Sequence, residues 1–149
     1  MIWTPRVTVA AIAEREGRFL LVEEYTNDGI RLNQPAGHLE QGESLIQAVI
    51  RETQEETAWT FEPRALVGVY RWQAYAGGPT YLRFCFSGIC THHDPSRPLD
   101  TGIRCLHWLD RDAMQAALAK LRSPLVMRCV DDYLAGKRYP LDLLCDLSL

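Results

Sequence analysis

Three glutamates fall where a helix needs apolar side chains. Leu45, Ala48, Val49, Glu52, Glu55, Glu56 and Trp59 recur at steps of three and four, which is one face of a 3.6-residue period. That face begins apolar and ends in carboxylates. Like charges on adjacent turns repel one another, and partial burial makes each more costly. A hard divalent cation resolves both problems, because it takes carboxylate oxygens as ligands. A Glu-rich helix is ordinarily just a solvated acidic surface. Here the acidic stripe continues the apolar face instead of opposing it, and Arg51 stands beside it as an internal counter-charge. Residues 37–57 hold five acids (Glu40, Glu43, Glu52, Glu55 and Glu56) and one base, a net charge of −4. The whole chain carries −3, so all other residues together carry +1.

The same residues form a spaced pattern. Gly37 is followed after five residues by Glu43, after seven more by Arg51-Glu52, and after two more by Glu55-Glu56. This pattern resembles the Nudix box, a specific signal because its fixed positions span a long stretch. Ala58 stands where the box usually carries Gly, a change at a helix end that removes no ligand. The resemblance implies an α/β fold, an α/β/α sandwich with a mixed sheet between helices, and a single Nudix hydrolase domain over residues 1–149. It also implies Mg²⁺, with Mn²⁺ as a substitute, held by Glu52, Glu55, Glu56 and the Gly37 carbonyl. Arg51 would orient Glu52, and Glu43 would hold Arg51. Further segments, LNQPAGHLE, YLRF, RSPLV and GKRYPL, resemble the NudJ-type phosphatase branch of the family. That branch acts on nucleoside tri- and diphosphates and on thiamine pyrophosphate. The implied activity is hydrolysis of a phosphoric anhydride with release of orthophosphate. The alternatives are a non-catalytic Nudix-fold binding or regulatory module and a Nudix pyrophosphohydrolase of another substrate class.

Composition narrows the partners. A chain of 149 residues with 47% hydrophobic and 23% charged residues can bury a substantial core. A charge of −3 argues against long nucleic acid, which needs a basic face. No apolar run reaches membrane-spanning length, and the first sixteen residues read as a strand rather than a signal peptide. The five cysteines are odd in number and contain no C-x-x-C pair, as expected for reduced thiols in a cytoplasm. A zinc site drawn from Cys90, His92, His93, Cys105 and His107 is conceivable, although its spacings match no familiar structural pattern. The expected partner is a small nucleotide or diphosphate, with the protein a monomer or homodimer.

The positioning elements follow from pattern. Residues 7–13 and 18–25 read as strands joined at Glu16-Gly17. Pro35 interrupts a short segment over residues 32–37. The helix starts near Ser44 and carries the stripe to Trp59. Residues 65–75 and 81–90 predict a hairpin closed at Gly77-Gly78, and residues 104–109 the last strand. Asp110 caps a helix through Lys120. Ser123-Pro124 starts another helix, closed by Gly136.

Outside the box, Asp100 is a candidate general base because its placement resembles that of the family's distal acid. A plain turn former beside Pro98 and Gly102 is an equal reading, and Glu52 is the competing base. Arg83 sits in an otherwise apolar run, where an inward guanidinium requires a partner. It is a candidate substrate contact. Arg138 and Tyr139, in the tail that resembles the branch, are further substrate candidates. Trp72, with Tyr75, could stack on a base or simply pack in the core.

Overall fold

The computed structural model describes residues 1–148. Seven strands form one sheet: β1 (Arg6–Arg15), β2 (Arg18–Thr26), β3 (Gly29–Asn33), β4 (Ala36–His38), β5 (Trp59–Gln73), β6 (Thr80–His93) and β7 (Ile103–Leu109). The main path runs β3-β2-β1-β6-β5, with β4 added to β1 and β7 to β2. The β1–β6 pairing is parallel and the other pairings are antiparallel, so the sheet is mixed as the sequence predicts. Helix α1 (Leu45–Thr57) covers one face, and α2 (Arg111–Ala116) with α3 (Pro124–Leu134) covers the other.

Alternation along β1 and β2 divides the core between these layers. Val9, Ala11, Ala13 and Leu20 pack with Ala48 and Val49 of α1, alongside Phe61, Leu66 and Phe86. Ala10, Ile12, Phe19 and Leu21 pack with Met114 of α2 and with Val126, Met127, Cys129 and Val130 of α3. The architecture is the expected α/β/α sandwich.

Local chemistry fixes the ends of α1. Ser44 accepts from the Gln47 amide, while the Gln47 side chain accepts from the Ser44 amide, a reciprocal capping box. At the other end Ala58 takes the left-handed conformation, φ 60°, and donates its N–H to the Gln54 carbonyl. The box position that usually carries Gly therefore does adopt the conformation that favours Gly, at a strain of about 1 kcal/mol.

Three boundaries differ from the sequence reading. Trp59 is not on the helix but begins β5, because the left-handed Ala58 turns the chain immediately before it. Strand β5 then runs through Pro63 six residues ahead of the expected start. It is an edge strand with register shifts around Pro63, a place that tolerates the missing N–H. Helix α2 ends at Ala116, and Leu118–Lys120 forms a separate single 3₁₀ turn. The Ser123 cap and the positive φ of Gly136 stand as predicted.

Candidate active site

Strand β4 and helix α1 bring the acidic unit together. Arg51 is its hub. Its Nε and Nη2 donate to the two oxygens of Glu43 at 2.9 and 2.7 Å, its Nη1 donates to Glu52 at 2.8 Å and Glu55 at 3.2 Å, and its Nη2 also donates to the His38 carbonyl. Bidentate charged pairing of this kind fixes geometry as well as charge. The Glu43 carboxyl lies below its usual range because Arg51 bonds it, against the opposing effect of burial. The guanidinium is raised above its ordinary value, chiefly by the Glu43 bond. Residue 38 contributes its carbonyl here.

Glycine at position 37 has a steric reason beyond the expected carbonyl contact. A Cβ there would fall on the Glu52 carboxylate, so only Gly lets α1 press this side chain against β4. Next to it the Ala36 amide donates to Glu56 Oε1 at 2.8 Å. Glu56 is only 8% exposed, and burial pushes its carboxyl up to about 9. Negative Glu52, Glu24 and Asp100 add to the rise, while the Ala36 bond opposes it. The Glu52 carboxyl is also raised by burial, with Arg51 opposing and Glu55 and Asp100 adding.

Asp100, distant in sequence, joins this group. Its amide donates to the Glu55 carbonyl at the end of α1, and its own carbonyl accepts from the Ile103 amide. It is therefore both a turn former and a neighbour of the acids. Glu52, Glu55 and Asp100 each offer an oxygen, all within 4.8 Å of one another. Arg51 bonds two of these three, and no other cation pairs with them among the described residues; Glu56, held by the Ala36 amide, stands beside the set. The set suits a hard divalent cation.

On the other side of β4 lies a cavity of about 500 Å³, with Ala36, Gly37 and His38 in its wall. The same short strand thus touches both Glu56 and Glu52 and faces the cavity. Arg83 enters from β6 and is only 5% exposed. Its Nη1 donates to Gln34 at 2.9 Å and its Nη2 to Asn33 at 3.2 Å, while its Nε has no hydrogen-bond partner among the described residues. Both partners are neutral amides, and among the described residues no carboxylate lies within ion-pairing distance of this guanidinium. The Cys129 thiol also borders this guanidinium, whose charge favours the thiolate. A buried cation paired with two amides and a thiol, and with no carboxylate, is poised for an anion.

Trp72 also lines the cavity, stacked on Tyr81 with ring centroids 5.9 Å apart and planes inclined by 27°, and Tyr75 stands exposed at the rim. Glu24, Asn33 and Arg122 were not found by sequence reasoning. Glu24 accepts from Arg122 at 2.6 Å, and all three line the cavity. The one available signal was the polar Asn33-Gln34 pair placed directly before Pro35 and Gly37.

Two expected substrate residues are not brought here. Arg138 lies over the Tyr133 ring at 3.6 Å and donates to the Tyr133 and Lys137 carbonyls, which occupies it at the end of α3. Tyr139 pairs through its backbone with Leu66 and lines a separate, smaller hollow with Arg128, Asp132 and Lys137.

A mixed sheet between helices, with the box acids on the inner face of α1, defines a class that comparison with known proteins confirms. The NUDIX domain model matches residues 3–129, so the chain belongs to the Nudix family and is a hydrolase acting on phosphoric anhydride bonds. It is 39% identical over 147 residues to phosphatase NudJ of Escherichia coli K12, covering 99% of this chain and 95% of that one. A solved NUDIX hydrolase from Nitrosomonas europaea superposes with a TM-score of 0.93 at 53% identity, covering 96% and 97% of the two chains. The NUDIX domain of Shewanella oneidensis NrtR, solved with ADP-ribose, gives a TM-score of 0.71 at 15% identity over 91% and 90%, a likeness of fold. Among the described residues no helix is long and apolar enough to cross a membrane.

Proposed function

We propose that this chain, working as a single domain, is a Mg²⁺-dependent phosphohydrolase. Its substrate would be a nucleoside tri- or diphosphate or a related diphosphate such as thiamine pyrophosphate, with orthophosphate as the product. The observation that carries this reading is the pairing across β4 of an acidic cluster with a buried arginine that no carboxylate neutralises. An anion bridged to a divalent cation is the ligand class that satisfies both sides. The name of the Escherichia coli relative, a phosphatase, supports release of orthophosphate.

Glu52, Glu55 and Glu56 would hold the cation, with Asp100 and the Gly37 carbonyl at its margin. When bound, Mg²⁺ supplies charge neutralisation of the phosphates and an acidified water. Arg51, fixed by Glu43, keeps Glu52 and Glu55 in place and prevents their mutual repulsion from splaying them. Arg83 binds phosphoryl oxygens from the cavity side, where its burial strengthens its pull on developing charge. Glu52 or Asp100 takes the proton from the attacking water. Trp72, through its stack with Tyr81, offers a flat apolar surface for a base or other aromatic ring. Five free thiols suit a reducing cytoplasm.

The test is a panel of nucleoside di- and triphosphates and thiamine pyrophosphate, scoring orthophosphate and pyrophosphate separately. The expected result is orthophosphate release that EDTA stops and added Mg²⁺ or Mn²⁺ restores. Turnover that resists EDTA contradicts the metal assignment. Pyrophosphate as the sole product contradicts the phosphatase assignment.

A further inference from the structure

A second group of donor atoms lies away from the box. Strands β2 and β7 are antiparallel, with Cys105 directly opposite Glu23 and His107 opposite Leu21. Alternation puts Glu23 on the same face as Leu21, so all three polar side chains share that face. His107 Nε2 is 3.0 Å from Glu23 Oε1, and Cys105 Sγ is 3.5 Å from both Glu23 Oε2 and His107 Nε2. The imidazole, thiol and carboxylate are all partly buried and still reach solvent.

We propose that Glu23, Cys105 and His107 bind one zinc-class divalent cation, at a site separate from the carboxylate cluster and independent of the proposed phosphohydrolase reading. Tetrahedral zinc with ordinary bond lengths separates its sulfur, nitrogen and oxygen ligands by about 3.4–3.6 Å. The sulfur already stands at that spacing from the nitrogen and from Glu23 Oε2, while the nitrogen, 3.0 Å from Glu23 Oε1, must move back from its hydrogen bond to admit the ion. Thiolate and imidazole favour zinc-class ions over the Mg²⁺ that suits an all-oxygen site. The i, i+2 pair on one strand and the directly opposed residue on the next form a tripod held by the sheet ladder, and its open side leaves a fourth position for water. Binding releases the Cys105 thiol proton to solvent as the Sγ–metal bond forms. Arg104, whose Nη1 lies 3.2 Å from Glu23 Oε2, must yield one carboxylate oxygen or remain on the outer one.

The other cysteine and histidines weighed for zinc do not join this group. Cys90, His92 and His93 lie on β6 opposite Phe61, Thr60 and Trp59, and His93 packs on the Trp59 ring at 4.9 Å. An ion at the tripod ties β7 to β2 two residues beyond the Asp100–Ile103 turn. Occupancy therefore stabilises the strand that follows the candidate base.

The experiment is a Co²⁺ titration of the full chain in a Cys145→Ser background, with saturating Mg²⁺ to fill the carboxylate site. One equivalent should raise a thiolate-to-cobalt charge-transfer band that Zn²⁺ then bleaches. The band should vanish in Cys105→Ser, and His107→Ala should weaken Co²⁺ binding by about 10-fold or more. Circular dichroism checks that each variant is folded, and the half-exposed His107 supplies a substitution that leaves the core untouched. No band in the parent, a band that survives Cys105→Ser, or Co²⁺ affinity unchanged in His107→Ala each overturns the proposal.

Discussion

The two sides of β4 fail in opposite directions. On the α1 side, Glu52 and Glu55 share one guanidinium already bonded to Glu43, Glu56 and Asp100 add their charge nearby, and burial drives Glu52 and Glu56 toward the neutral form. On the cavity side, Arg83 is buried against two amides with one N–H unbonded. A folded domain selected only for stability would not keep both defects a strand apart, since each costs free energy. Together they define the class of ligand that fits. The acids need a cation, the arginine needs an anion, and a metal-bound diphosphate is both.

That contrast can be broken from either side. The largest effect belongs to Glu56→Gln, which keeps the shape of the side chain and removes the charge at the deepest carboxylate. We expect kcat to fall by about 10³-fold with the fold intact, on the scale of losing one preorganised charge-stabilising group. Steady-state kinetics beside circular dichroism checks this, and normal turnover in a folded variant removes Glu56 from the site. Next comes Arg83→Gln. Losing one charged hydrogen-bonding partner of a phosphate is worth about 1.5–3 kcal/mol, or about 10–100-fold in kcat/KM. Both diphosphates and triphosphates should be affected.

The acidic side also predicts a pH signature. Glu56 keeps its proton up to about 9 in the folded, cation-free chain, whereas an unfolded carboxyl releases it near 4.5. The native state therefore binds more protons between those values, and its stability falls as pH rises through that window. Thermal melts in EDTA should show Tm dropping from about pH 5 to about pH 9. Added Mg²⁺ should raise Tm more at the alkaline end, and Glu56→Gln should flatten the decline. A Tm independent of pH across this window contradicts the account of Glu56. The smallest effect is expected at Ala58→Gly, remote from this contrast. Relief of left-handed strain is worth about 1 kcal/mol and loss of a buried methyl costs about 0.8 kcal/mol, so chemical denaturation should show stability changed by less than about 1 kcal/mol.

Legibility in the sequence follows the same division. The acidic side is written in one continuous stretch, where helix period and box spacing coincide, so its residues and much of their pairing could be read directly. The cavity side is assembled from afar. Arg83 meets Gln34 and Asn33 across 49 and 50 residues of chain, and Arg122 meets Glu24 across 98, separations over which no local pattern extends. Asp100 could be singled out only through resemblance, because its link is to the Glu55 backbone rather than to a neighbouring motif. The fold was legible where continuous apolar runs met turn residues, as in β1 and β2 around Glu16-Gly17. It was misread where Pro63 looked like a boundary, because edge position in a sheet is not a property of the local sequence. Arg138 and Tyr139 were placed by resemblance of a short tail segment, and the end of α3 holds Arg138 elsewhere while β5 holds Tyr139.

The claim that one ligand answers both defects is tested most directly by thermodynamic linkage. Binding of a non-hydrolysable nucleoside diphosphate analogue is measured by calorimetry with and without Mg²⁺, in the parent chain, Glu56→Gln and Arg83→Gln. The account predicts that Mg²⁺ tightens analogue binding by about 10-fold or more in the parent, and that the analogue tightens Mg²⁺ by the same factor. Glu56→Gln should lose that coupling, and Arg83→Gln should weaken the analogue at every Mg²⁺ concentration. Equal analogue affinity with and without Mg²⁺ in the parent would contradict it.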